Sequence, residues 1–518
     1  MMIYDLFLKF YQKENGKHEG NQVKITLSLL KIVFLFLINL MPSKYAISLA
    51  KKLKIDVRFF WNSTRHYFIG RDIIDNKNPL LIVAKLFFFY FRFPKGLGLP
   101  WGCAMESAYR IFNLILLQQY AQSRIVKSIT AIMLRLESRY IANNLETESQ
   151  NNHYLFNLIG LLLVRETNKY CPVDEKWLSS EFRSQFIRQF YDDGANFESS
   201  SAYHALALEA IAIVYLSCPE EAQWIDGNVK ELLQKAWAFF LIWQDDLQSM
   251  GYYGDNDSGY AFFAINPHIN YHLFQKDFIA TALGMTKVIA TQVQLYPTAG
   301  IMSIVKNNNR LVVIAGAVGQ NGKGGHSHND KCSLMLWIKG QYIFGDPGTA
   351  SYAVNRNRYR QTAHHSTVQL NSREQNTLSS GVFKMPDATK ATMVCKSDSE
   401  LAVTHTGFEP HTLTREFCMS ADGLQVTDSF FPALMNHDIA STILISPFIL
   451  TIEEGGLNAW AIRLKGEEVL RLVVYSTTIA EVDLVPYAKY YGDNIGQGTR
   501  LCFKWPQGLS VFRWELKW

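Results

Sequence analysis

The sequence predicts an α+β multidomain protein in which a long helical part is followed by an antiparallel β-sandwich. Three observations predict it. The chain is 518 residues long, more than one compact core of ordinary size accommodates. Up to about residue 290, apolar residues recur at spacings of three and four, the period of helices with one buried face. From about residue 295 the pattern changes to short β-branched or aromatic runs bounded by turn residues, the pattern of strands.

Taken from the N-terminus, residues 1–71 hold 12 Lys and Arg against 4 Asp and Glu, so the mild net charge of +5 is concentrated early. No cleavable secretory signal is recognisable there: the first apolar stretch is followed by charges and lacks a small-residue cleavage site. "ITLSLLKIVFLFLINLM", residues 25–41, has Lys31 inside and is short against the ~20 apolar residues that cross a bilayer. It reads as a buried or surface-lying helix and is the candidate for membrane association. A cytoplasmic or membrane-associated protein is expected, with the periplasm as the alternative. "PLLIVAKLFFFYFRF", residues 79–93, is shorter and reads as core.

Helices follow in series in "AYRIFNLILLQQYAQ", "SITAIMLRLESRYIANNL", "NNHYLFNLIGLLLVRET", "HALALEAIAIVYL" and "VKELLQKAWAFFLIWQDDL", separated by polar turns. This arrangement suggests helical hairpins stacked into a ring or solenoid. After the break at "LYPTAG" come "RLVVIAG", "CSLMLWIKGQYIFGD", "GLQVTDSF", "VLRLVVYSTT" and "LSVFRWEL". The composition, 48% hydrophobic and 19% charged, fits a globular chain with a large core and argues against disorder. No strongly basic helix or zinc-finger spacing points to nucleic acid. Seven scattered cysteines without a CxxC pair argue against a disulfide framework and against a thiolate zinc site.

The chemistry-bearing residues cluster after residue 325. "GGHSHNDK" places His326 and His328 one residue apart in a glycine-rich turn; Asp346 follows in "FGDPG", and His364 and His365 in "AHHST". A hairpin returns Asp346 towards His328, and a third strand can deliver His365. Two imidazoles and a carboxylate are a zinc-type ligand set. A metallo-hydrolase with an HxHxDH signature is the rival, but Lys331 stands where that signature has its last His, and a cation there repels a second metal.

Taken together, "GKGGHSHNDKCSLMLWIKGQYIFGDPGTASY" and "RYRQTAHHSTVQL" resemble the heparinase II/III family of polysaccharide lyases and its alginate-lyase relatives. That family has a Gly-His-x-His-x-Asp turn, a strand pair ending in Asp-Pro-Gly, and a His-Asn-Thr segment; Ser366 stands here in place of the Asn. "LPWGCAMESAYRIFNL", "NNHYLFNLIGLLL", "DGANFESSSAYHALALE" and "GDNDSGY" resemble further family segments, in the family's order. The resemblance implies an incomplete (α/α) toroid followed by an antiparallel β-sandwich. It divides the chain into a basic helical segment at 1–95 that carries no motif, a toroid at 96–294 and a sandwich at 295–518.

It also implies β-elimination on a uronate-containing, acidic polysaccharide. By the resemblance Tyr203 is the acid and also a candidate base, His326 supplies a positive setting or is itself the base, and Asn152 and His153 neutralise the uronate carboxylate. His328, Asp346 and His365 are the expected ligands of a structural zinc ion, with His364 as the alternative third ligand. Tyr359 is a candidate second substrate tyrosine. Glu106 and Arg110, four apart on a helix, can pair across one turn and read as structural, with a substrate contact as the alternative; Asp255 and Asp257 are expected to order their own turn. A binding protein on the same fold, without turnover, is the second reading.

Overall fold

The computed structural model describes residues 39–52, 56–244, 251–257, 259–261, 271–285, 292–353, 355–378, 381–434, 437–447, 451–456, 459–464, 469–475, 479–488 and 496–518. All but the last three residues of the apolar run 25–41, the candidate membrane contact, lie outside these. Among the described residues no single helix is long and apolar enough to cross a membrane. The chain divides into two compact units, Met1–Asn144 and Leu145–Trp518.

The described part of the first unit is helical: Ser43–Lys52, Val57–Thr64, Phe68–Ile74, Pro79–Arg92, Ala104–Tyr120 and Arg124–Asn143. Asp56 and Asn78 cap two of these by accepting from the backbone N–H groups of Arg58 and Leu80, and Pro79 opens its helix where no N–H is needed. Two expectations are corrected in this unit. Glu106 and Arg110 do not pair with each other: Glu106 accepts from Arg65 Nε (2.7 Å) and Nη2 (2.5 Å), and Arg110 donates to Glu137 from Nε (2.9 Å) and Nη2 (3.0 Å). All four side chains are buried, and a carboxylate on another helix can face the guanidinium fork with both oxygens, a fit that neighbours one turn apart do not offer. The run 79–93 is not wholly core either. Ile82, Val83, Leu86 and Phe89 are buried, but Leu80, Leu81, Phe87, Phe88 and Phe91 face outward.

The second unit begins with the helices Asn152–Asn168, Glu175–Gln189, Ser201–Ser217, Lys230–Leu241 and Tyr271–Leu283, and changes to strands at Val293. The strands form two antiparallel sheets. One runs in the spatial order Val293–Tyr296, Ile301–Lys306, Asn309–Ile314, Leu334–Ile338, Gln341–Phe344, Ile439–Ile445, Gly496–Lys504, Ile479–Tyr487, with Val368–Leu370 also on Ile439–Ile445. The other runs Thr451–Gly456, Ala459–Arg463, Val469–Val474, Val511–Lys517, Gly423–Phe431, His411–Met419, Glu400–Phe408, Ala391–Cys395.

Alternate residues of His411–Met419 and Gly423–Phe431 are buried, as expected for strands with one face on a core. Leu334, Leu336, Ile443 and Leu501 of the first sheet share that core with Phe417, Val426, Leu472 and Trp514 of the second, which makes the pair a β-sandwich. The seven cysteines are all free. The helical region followed by a sandwich agrees with the fold class expected from the sequence.

Candidate active site

Five segments of the second unit build one buried polar cluster. The helix Asn152–Asn168 starts with Asn151 as its cap, whose side chain accepts from His153 N (3.1 Å). Asn152 and His153 are therefore its first two residues, and their side chains point about 100° apart around the helix. Ser200 caps the helix Ser201–Ser217 and does two things at once: its hydroxyl accepts from Tyr203 N (3.3 Å) and donates to the backbone carbonyl of Asp255 (2.6 Å). The loop holding Asp255 is thereby fixed to the helix turn holding Tyr203.

Gly254 makes that approach possible. Its φ is +67°, and a Cβ there would lie 2.4 Å from the Ser199 carbonyl oxygen and 2.8 Å from that of His326. Only glycine suits both the conformation and the space. Asp255 N then donates to His326 O (2.9 Å), which joins the loop to the histidine turn.

Asp255, expected only to order its own turn, is the hub of the cluster. Its Oδ2 accepts from His326 Nδ1 (2.9 Å) and Arg356 Nη2; its Oδ1 accepts from His328 Nε2 (3.2 Å) and Thr349 Oγ1 (3.0 Å). Burial opposes its ionisation, but the Arg356 guanidinium and the donors on His326 and His328 outweigh burial and hold the carboxyl well below its ordinary range. Asp257 has the expected turn role, accepting from Gly259 N (3.0 Å), and a second one: its Oδ2 accepts from the Tyr203 hydroxyl (2.7 Å).

His326 is held on both edges and one face. Its Nδ1 meets Asp255, its Nε2 lies 3.3 Å from Glu198 Oε2, and its ring stacks on Tyr203 at 3.9 Å between centroids and 22° between planes. A carboxylate oxygen therefore lies at each ring nitrogen. The Tyr203 hydroxyl, besides donating to Asp257, lies 3.0 Å from the Tyr352 hydroxyl. Glu198 connects this stack to Asn152: its Oε1 accepts from Asn152 N (2.7 Å), and its Oε2 also accepts from Gln320 Nε2 (3.1 Å).

One carboxylate therefore separates the start of the Asn152 helix from His326. The Asn152 side chain is buried with neither amide atom hydrogen bonded, an uncommon condition that a ligand would relieve. His153 is half-buried and turns its Nδ1 to Glu146 (3.0 Å). Tyr359 is buried on the short helix Arg356–Arg360; the tyrosine that reaches Tyr203 is Tyr352.

Next to this stack, three potential ligand atoms converge. His328 Nε2 donates to Asp255 and its Nδ1 faces the other two; burial opposes protonation of this ring, but Asp346 and Asp255 raise it to about 9, so a metal ion bound there displaces a proton. His365 Nδ1 donates to Gln361 O (3.0 Å), which leaves its Nε2 facing them. His328 Nδ1 and His365 Nε2 are 3.2 Å apart. Asp346 Oδ2 lies 3.6 Å from His328 Nδ1 and 3.2 Å from His365 Nε2, and it has no hydrogen-bond donor. Ligands about 2.0–2.1 Å from a tetrahedral ion are separated by about 3.3 Å, so these three atoms stand close to where an ion of that size requires them. His364 faces elsewhere, its Nδ1 against Arg358 O, so of the two adjacent histidines it is His365 that joins the triad. Lys331 also turns away, with its ammonium on Gly316 O.

Arg415, on a strand of the second sheet, secures the backbone just beyond both histidine segments. It donates to Cys332 O (3.1 Å) and Ser366 O (2.6 Å) while forming a two-point pair with Asp428 (2.5 and 2.9 Å). Ser366, in the place of the family's Asn, accepts from Leu444 N (3.0 Å).

Glu198, Tyr352 and Arg356 were not anticipated as site residues. Glu198 and Tyr352 lie inside "DGANFESSSAY" and "DPGTASY", and Arg356 just beyond the latter, so their position in the chain was informative although their partners were not.

Residues 289–495 match the family described as heparinase II/III-like, C-terminal. No curated protein matches the chain in sequence. Among solved structures, a heparinase III gene product aligns with a TM-score of 0.60 at 14% identity, covering 80% of this chain and 67% of its own. The heparan sulfate lyase HepC from Pedobacter heparinus gives 0.57 at 16%, covering 80% and 68%. A further heparinase III gives 0.64 at 11%, covering 84% and 72%. At such identities the likeness is one of fold, extending over about two thirds of each of these longer chains. The segment 289–495 is thus heparinase II/III-like in sequence, and the chain shares the fold of these lyases.

Proposed function

We propose that the protein is a polysaccharide lyase that cleaves a uronate-containing, acidic glycan by β-elimination. The observation that carries the proposal is the stack of Tyr203 on His326, with a buried, unpartnered Asn152 amide one carboxylate away. The C5 proton of a uronate is very weakly acidic, and its removal needs the neighbouring carboxylate neutralised and the developing enolate-like anion held by prearranged donors. Asn152 supplies the donor to that carboxylate, and His153 remains the adjacent candidate for a second.

Tyr203, its hydroxyl proton first passed to Asp257, takes the C5 proton as the phenolate and returns it to the departing O4, so acid and base act from the same face of the sugar. Both His326 nitrogens are engaged by carboxylates, which suits the ring to electrostatic support of the Tyr203 phenolate better than to proton abstraction. Tyr352, as a donor to the Tyr203 oxygen, adds to that support.

His328, Asp346 and His365 suit a zinc ion in composition and spacing. Such an ion would pin the turn that carries His326, a structural role. The HepC relative is a heparan sulfate lyase by name; for this chain the class proposed is the acidic glycan, with no particular polymer chosen.

Incubation with a panel of uronate polysaccharides tests the proposal. A lyase produces an ultraviolet-absorbing unsaturated sugar with each cut. A new reducing end without that absorbance marks a hydrolase, and binding without either product marks a non-catalytic glycan-binding protein; each of these outcomes overturns the proposal.

A further inference from the structure

The helix Pro79–Arg92 presents an apolar face to solvent. Leu80, Leu81, Phe87, Phe88 and Phe91 are 53%, 61%, 55%, 57% and 85% exposed, while Ile82, Val83, Leu86 and Phe89 of the same helix are buried. At about 100° per residue the five outward side chains, with Ala84 among them, fall within an arc of roughly 120°, so they form one continuous stripe. Isolated exposed apolar residues are ordinary; five large ones side by side on a single helix mark a surface that is covered in use.

Charge selects the cover. Residues 79–95 hold Lys85, Arg92 and Lys95 and no Asp or Glu. Arg92 and Lys95 stand at the C-terminal end of the stripe. A second copy docking through this face would bring two such basic regions together, and their repulsion opposes it. An anionic lipid surface complements both features at once: the Phe and Leu side chains enter the boundary between headgroups and acyl chains, and the basic residues meet lipid phosphates.

We propose that the stripe on Pro79–Arg92 is a docking surface for an anionic membrane, on which the protein lies without spanning it.

Flotation of the full chain with vesicles tests this. One set is neutral phosphatidylcholine; the other contains one third phosphatidylglycerol. The bound fraction is expected to be at least about tenfold higher on the anionic vesicles and to fall in high salt. Phe87→Ser/Phe88→Ser/Phe91→Ser is expected to lower it by at least about tenfold while leaving circular dichroism and the thermal midpoint unchanged, since all three side chains are more than half exposed. Phe91→Ser alone, at the most exposed position, gives the same direction if the triple variant folds poorly.

Absent binding, equal binding to neutral vesicles, or undiminished binding by the variants overturns the proposal. So does a dimer in sedimentation that the variants dissociate while vesicles are ignored, which would make the stripe an interface between copies.

Discussion

Replacing Asp255 by Asn tests the central inference, that one buried carboxylate sets the state of both histidines. The side chain keeps its shape and loses its charge. All four groups around it are donors: His326 Nδ1, Arg356 Nη2, His328 Nε2 and Thr349 Oγ1. An amide has one accepting oxygen, so whichever way it turns, its NH2 faces two of those donors. If the NH2 lies towards Arg356, a buried guanidinium loses its carboxylate; breaking such a pair costs about 3–5 kcal/mol.

If the NH2 lies towards His328, it donates to Nε2, the ring proton is held at Nδ1, and that atom is no longer available as a ligand. Loss of a ligand-orienting partner of this kind typically lowers metal affinity about 10–100-fold. The expected outcome is a clearly lowered unfolding midpoint, reduced zinc content after dialysis, and loss of turnover in one variant. Thermal unfolding, metal analysis and a turnover assay on the same samples read all three. An Asp255→Asn variant with unchanged midpoint and full zinc content would refute the hub assignment.

The remaining predictions concern separate parts of the molecule. Tyr203→Phe is expected to lower kcat by about 10²–10⁴-fold with glycan affinity nearly intact; near-normal turnover removes Tyr203 from the mechanism. Removing metal with a chelator is expected to destabilise the second unit, by about 4 kcal/mol if the ion had been present at ~1,000 times its Kd, and re-addition of zinc should restore the midpoint. A midpoint indifferent to chelator would contradict the proposed ligand triad. Acid stability is set partly by two histidines away from the triad. Burial, against the Ala236 carbonyl, lowers His204 to about 4; burial, then the Lys331 and Arg415 charges, lowers His405 to about 3. Both are depressed in the folded state, so the unfolded chain takes up protons first. The stability they confer is complete above pH ~6.5 and is lost as pH falls towards the folded values, about 3 kcal/mol each by pH 4. His405→Gln should flatten that acid limb in denaturant titrations; an unaltered limb would show that His405 does not stay neutral in the folded protein.

Much of this molecule is legible in sequence because the informative signals are local. Helix periodicity, the change to strands near residue 293, and the order of motifs from "NNH" to "AHHST" each depend on residues close in the chain. The same motifs brought Asn152, Tyr203, His326, His328, Asp346 and His365 to attention. What was misread depends on partners distant in sequence. Asp255 and Asp257 look like turn formers within "GDNDSGY", yet Asp255 meets groups 71 to 101 positions away. Glu106 and Arg110 have the spacing of a helical pair, but their partners are Arg65 and Glu137. The run 79–93 is apolar on every side, and periodicity cannot tell which side of such a helix has a neighbour.

The sequence by itself determined the elements, their order and the residue types available for chemistry, because backbone preference and apolar period act over a few residues. Only the tertiary structure decided which of two adjacent histidines faces Asp346, which tyrosine meets Tyr203, and which two carboxylates flank His326. Those choices follow from burial: a polar group removed from water must find its partner wherever the fold brings one within hydrogen-bond reach, and that proximity is written in no single stretch of the chain.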